Sequence, residues 1–203
     1  MLTRIACALA VAALAVGFAG PSSAAVPPRG TVVTPPAAGQ VEPAVSRDDT
    51  GTGRGAPVRL RIPAIGVTSS LVRLGLRADG SMQVPSTAGQ AGWFTGAPQP
   101  GQLGPAIIAG HVRWNGQPGV FSQLSRLDFG DRILVTRTDG TILAFRVTRV
   151  SRFAKDRFPT DLVYGNIDHA GLRLITCDRL DAAGKAYLDN LVVFAMLDSP
   201  AAR

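Results

Sequence analysis

The stretch Arg132-Ile133-Leu134-Val135-Thr136-Arg137, then Thr138-Asp139-Gly140-Thr141, then Ile142-Leu143-Ala144-Phe145-Arg146-Val147-Thr148-Arg149-Val150 decides the fold class of this chain. β-Branched and aromatic residues dominate both outer runs, and Asp-Gly between them supplies the positive φ that a tight turn demands. The stretch therefore predicts an antiparallel hairpin. Toward the N-terminus, Val58-Arg59-Leu60-Arg61-Ile62 alternates apolar with polar and is stopped by Pro63. Residues 71–76 follow as a strand, then the turn Ala78-Asp79-Gly80-Ser81 and a strand over residues 82–84. Residues 105–109 form a continuous apolar run ending at Gly110-His111, and strands are expected over residues 172–176 and 191–197. Only residues 120–127 and 161–164 read as short helical turns. Seven or eight strands with few helices predict a mainly β domain, a closed barrel or a sandwich.

The chain has 203 residues, enough for one domain with extensions. Residues 1–24 read as a signal peptide or short membrane anchor, since Arg4 precedes an uncharged apolar run and Pro21-Ser22-Ser23-Ala24-Ala25 offers small residues for cleavage. Residues 25–56 read as a Pro/Gly/Ala-rich linker; the wider stretch from Gly20 to Pro57 holds seven of the fifteen prolines. The domain proper is assigned to residues 57–198. Export places it on the outer face of the cytoplasmic membrane, in the cell wall, or secreted.

The net charge of +7 belongs mainly to that domain: residues 1–57 carry four basic and three acidic groups, leaving 17 against 11. Its arginines are dispersed without tracts or interleaved aromatics, which argues against nucleic-acid binding. Glu42 is the only glutamate and lies outside the domain, which disfavours paired-carboxylate chemistry. No short-spaced Cys/His set suggests a metal, no Gly-rich loop between strand and helix suggests a nucleotide, and Gly-x-Ser-x-Gly is absent. No cofactor is expected.

Cys177 is the only cysteine of the exported domain and stands directly after the strand at residues 172–176. A lone cysteine in an oxidising compartment is either a reactive group or a buried filler. His111 has the same setting at the end of the run over residues 105–109. If those strands are neighbours, thiol and imidazole form a nucleophile and proton-transfer pair; otherwise His111 is a satisfied strand cap. His169, in a turn-rich loop, reads as solvated.

Gly110-His111-Val112, followed by Gly119-Val120-Phe121, Gly130-Asp131, Lys155-Asp156-Arg157-Phe158-Pro159-Thr160 and Leu174-Ile175-Thr176-Cys177, resembles the actinobacterial sortases of class E/F type over about residues 57 to 197. The resemblance implies a closed eight-stranded sortase-type β-barrel and a cysteine transpeptidase. Cys177 would attack the Thr carbonyl of a Leu-Pro-any-Thr-Gly-like sorting signal, His111 would protonate the departing amine, and a cell-wall precursor or pilin amine would resolve the thioester. Partners would be sorting-signal-bearing surface proteins, and the domain would be monomeric. Residues 62–84 and a loop around Trp93-Phe94 would line the groove.

One position departs from the family pattern. An Arg is expected before Asp-Asn at the start of the last strand, where it donates to the substrate and the developing oxyanion, and this chain reads Tyr187-Leu188-Asp189-Asn190. Arg179, two residues after Cys177, is the candidate replacement, because alternation returns it to the same face if the strand persists. Lys185 is a weaker candidate, a flexible point charge instead of a planar fork. The alternative reading is a catalytically impaired barrel that binds sorting signals or wall polymers.

Overall fold

The computed structural model describes residues 55–180, 184 and 186–198; the expected signal segment, most of the expected linker, and Lys185 lie outside the described residues. Ten strands occur among them: β1 (Pro57–Ile62), β2 (Val67–Leu74), β3 (Ala91–Phe94), β4 (Gly104–Gly110), β5 (Arg113–Trp114), β6 (Gln117–Pro118), β7 (Arg132–Arg137), β8 (Ile142–Ala154), β9 (Ala170–Leu180) and β10 (Tyr187–Leu197). Eight of these close into a barrel in the order β1-β2-β3-β4-β9-β10-β8-β7, with β1 pairing back onto β7. Of the two architectures the pattern allowed, the barrel is the one formed. One short helix, α1 (Thr160–Tyr164), and three single 3-10 turns complete the described secondary structure.

The hairpin expected over residues 132–150 is present. Thr136 pairs with Ile142, Arg137 N donates to Thr141 O at 2.9 Å, and Gly140 adopts φ 80. The Asp139 carboxylate caps the turn by accepting from Thr141 N at 2.9 Å. The same five-residue design recurs at Arg77-Ala78-Asp79-Gly80-Ser81, with Gly80 at φ 78 and Asp79 accepting from Ser81 N at 2.9 Å. There the flanking segments pair only through the single bridge Leu76 to Met82, so the expected strand over residues 82–84 does not form.

Two apolar clusters explain the two kinds of strand pattern. Leu60, Ile62, Trp93, Ala106, Ile108, Leu172, Leu174, Leu191 and Val193 fill the barrel. Ile107, Ala109, Ile175, Val192 and Phe194 point the other way, into a second cluster with Leu74, Met82 and Val163 of α1. Strands β4, β9 and β10 are thus buried on both faces, which is why their sequences run apolar without alternation. Trp93 corrects an expectation: it lies on β3, not in a loop, and is only 4% exposed inside the barrel.

The outer cluster also holds a cation. Arg173 is buried against Phe194, its guanidinium 4.7 Å from the ring centroid, with Arg149 over the same ring at 4.9 Å. Desolvation, aided by Arg149, pushes Arg173 down to about 10. Cation–π attraction offsets part of that cost.

Candidate active site

β4 and β9 are parallel neighbours, with Ala109 beside Ile175. His111 and Cys177 each lie two residues further on, His111 just past the end of β4 and Cys177, expected directly after its strand, still within β9, which runs on to Leu180, so they lie toward the same end of adjacent strands, whose spacing is ~4.8 Å. Ile107, Ala109 and Ile175 belong to the outer cluster, and strand alternation carries that face on to His111 and Cys177. The condition that the sequence left open, adjacency of the two strands, is met. Cys177 is 1% exposed, and chemistry at its sulfur requires the reduced thiol.

His111 is held from three sides. Its ring nitrogen Nε2 lies 2.7 Å from Pro85 O; a carbonyl only accepts, so Nε2 carries the hydrogen and Nδ1 is the basic nitrogen. The ring packs on Trp114, centroids 4.3 Å apart. Its carbonyl accepts from Phe121 N at 2.9 Å. Gly119 passes so close that a Cβ there would lie 2.0 Å from His111 O, which accounts physically for Gly in Gly119-Val120-Phe121. Desolvation holds the imidazole below its ordinary value of 6.5, opposed by the hydrogen bond to Pro85, so it is neutral at pH 7.

The third expected residue sits differently. β9 does persist to Leu180, but Arg179 has φ 46, and this left-handed residue breaks the alternation on which a shared face with Cys177 depends. Its fork engages Asp189, with Nε 2.7 Å from Oδ2 and Nη2 donating to Oδ1 at 2.8 Å. Asp189 pairs with Asp178 and alternates with Asn190, placing it on the opposite face from Cys177. The hydrogen bond and charge of Asp189 raise Arg179 above its ordinary value. Lys155 also feels Asp189, although desolvation dominates and lowers it. Leu188 is 42% exposed and carries no donor.

Asn190, which the sequence reading used only as a landmark, pairs directly with Cys177 across β9 and β10 and is 3% exposed. Its visible signal was parity: it stands two residues before the buried Val192 on the same face. Pro85 and Trp114 carried no signal, because both reach His111 from loops and short strands outside the main ladder.

A sortase domain model matches residues 60–198. Solved structures of like fold include a Clostridium perfringens sortase D5 transpeptidase, 26% identical with TM-score 0.53 over 71% of this chain and 79% of that one. Sortase A from Corynebacterium diphtheriae is 20% identical, TM-score 0.55, over 71% and 61%. Sortase C from Clostridium perfringens SM101 is 17% identical, TM-score 0.53, over 72% of each. The last two speak for the fold alone. No curated protein matches the chain by sequence.

Proposed function

The chain belongs to the sortase family, and on that footing we propose that it is an extracytoplasmic cysteine transpeptidase of the actinobacterial class E/F type. The observation that supports the reading is the parallel pairing of β4 with β9, the two strands from which His111 and Cys177 come.

In the proposed reaction His111 Nδ1 takes the proton of the reduced Cys177 thiol as sulfur attacks the Thr carbonyl of a Leu-Pro-any-Thr-Gly-like sorting signal. The sulfur–carbon bond forms, an oxyanion develops, and collapse breaks the Thr–Gly bond. The imidazolium returns its proton to the departing Gly amine, leaving a thioester. A wall-precursor or pilin amine then attacks that thioester, loses a proton to His111, and regenerates the thiol. Neutral His111 suits the first step, since only an unprotonated nitrogen accepts the thiol proton. Arg179 is proposed as a supporting donor once its fork leaves Asp189, which holds it on the face opposite Cys177. The proposed setting is the outer envelope surface, with surface proteins as acyl donors and the domain acting as a monomer.

A second reading, an impaired barrel that binds sorting signals, is favoured by Leu188, since losing an oxyanion donor costs ~100 to 1000-fold in turnover. Incubating reduced protein with a Leu-Pro-Xaa-Thr-Gly peptide library separates the two. An acyl-enzyme mass at Cys177, absent in Cys177→Ala, is expected; peptide binding without cleavage in the presence of added amines supports the impaired barrel instead.

A further inference from the structure

We propose that Asn190 is a catalytic residue, its side-chain amide donating to the oxyanion that forms when Cys177 attacks a carbonyl; this rests on Cys177 being the nucleophile. Asn190 and Cys177 are direct partners in the antiparallel ladder of β10 and β9. Side chains of such a pair share a face, with Cβ atoms ~5 Å apart, which is within reach of a carbonyl bonded to the sulfur. Ala109, Ile175 and Val192, each two residues from His111, Cys177 and Asn190 respectively, share one cluster.

The Asn190 side-chain oxygen gets no structural return from burial. The residue is 3% exposed, and among the described residues its buried Oδ1 has no hydrogen-bond partner. A residue kept for packing at this position would be apolar, as its face neighbours Val192 and Phe194 are. An amide there makes sense as a donor: it brings two N–H groups and no charge to compete with the thiolate. Among the described residues, the two other positions considered for this role are engaged or lack a donor. The Arg179 fork is drawn to Asp189 on the opposite face, and Leu188, the next residue of β10 on the Asn190 face, has none. A neutral amide fixed between strands meets the requirement for oxyanion stabilisation, a donor preorganised where charge develops.

Two electrophiles test this on reduced protein. p-Nitrophenyl acetate acylates a thiol through a tetrahedral oxyanion and needs no sorting motif, whereas iodoacetamide alkylates it by displacement with no oxyanion. Asn190→Ala is expected to slow acylation at Cys177 by about tenfold or more while leaving alkylation within about twofold of the parent. Asn190→Asp keeps the shape and removes the donor, so it is expected to lose acylation in the same way and guards against a variant that fails to fold. Asn190→Gln is expected to restore part of the rate. Acylation and alkylation falling together in Asn190→Ala and Asn190→Asp, or acylation unchanged in both, would overturn the proposal. Nitrophenol release by Cys177→Ala at the parent rate would remove the nucleophile reading itself, and the assignment of Asn190 with it.

Discussion

The end of β4 and the end of the β9–β10 pair bring chemistry to the same rim by opposite means. His111 is fixed by steric closure: Gly119 pressed on its carbonyl, Trp114 on its ring and Pro85 on Nε2. Around Cys177 the ladder runs on in register to Tyr187 opposite Leu180, and charge is added to it there, with Arg179 on Asp189 and Arg152 on Asp178. Close packing admits little change, since even one added carbon is felt. Polar pairs at a rim tolerate exchange. Leu188, where the resemblance to class E/F sortases leads one to expect an Arg, falls on the second side, where a donor could be lost without loss of the fold.

The largest effect is expected at the packed side. Gly119→Ala puts a methyl group into the His111 carbonyl and should cost about 3 kcal/mol, together with loss of acylation, measured by thermal unfolding and by acyl-enzyme formation. Wild-type values for both would mean that the loop yields and that the steric view of this end is wrong. On the polar side, Leu188→Arg is expected to raise turnover of a sorting-signal peptide by about tenfold, restoring a donor. Arg179→Ala is expected to lower it by about tenfold or less with the fold retained; unchanged turnover would make Arg179 a rim charge and nothing more.

Smaller still is the response to pH. The folded imidazole of His111 binds its proton less readily than the unfolded one, so between its depressed value and 6.5 the unfolded chain carries more protons. Stability from the neutral ring is present above 6.5 and is lost as pH falls through the folded value. His111→Gln should flatten that part of the curve. Tyr164, pushed up to about 12 by burial with its hydroxyl unpaired, offers a control away from both ends. Tyr164→Phe is expected to shift stability by no more than about 1 kcal/mol, in the stabilising direction.

The strands that flank the site were legible because burial on both faces leaves an unbroken apolar run, as at Ile107-Ile108-Ala109. β3 was not, because it is four residues long and is held by parallel pairing to β2, a non-local contact with no sequence signature. Gly92 on it is needed for close approach, since a Cβ would meet Leu74 at 2.5 Å. Turn chemistry was legible at both Asp-Gly sites, but the partner of the first was not, and only a single bridge closes it. Within the site, His111 was visible as a strand end, whereas Cys177, expected directly after its strand, lies inside β9. The direction of Arg179 was not, since one left-handed residue at φ 46 undoes an alternation that the sequence cannot show to be broken.

Whether Cys177 and His111 work as a pair is tested most directly by the pH profile of Cys177 alkylation by iodoacetamide in the reduced protein. Coupled groups titrate as a pair, so the wild-type profile is expected to show a second inflection, at lower pH than that of an isolated thiol, which disappears in His111→Gln. Superimposable profiles for the two proteins, with a single thiol titration near its ordinary value of ~8.5, would contradict the pairing.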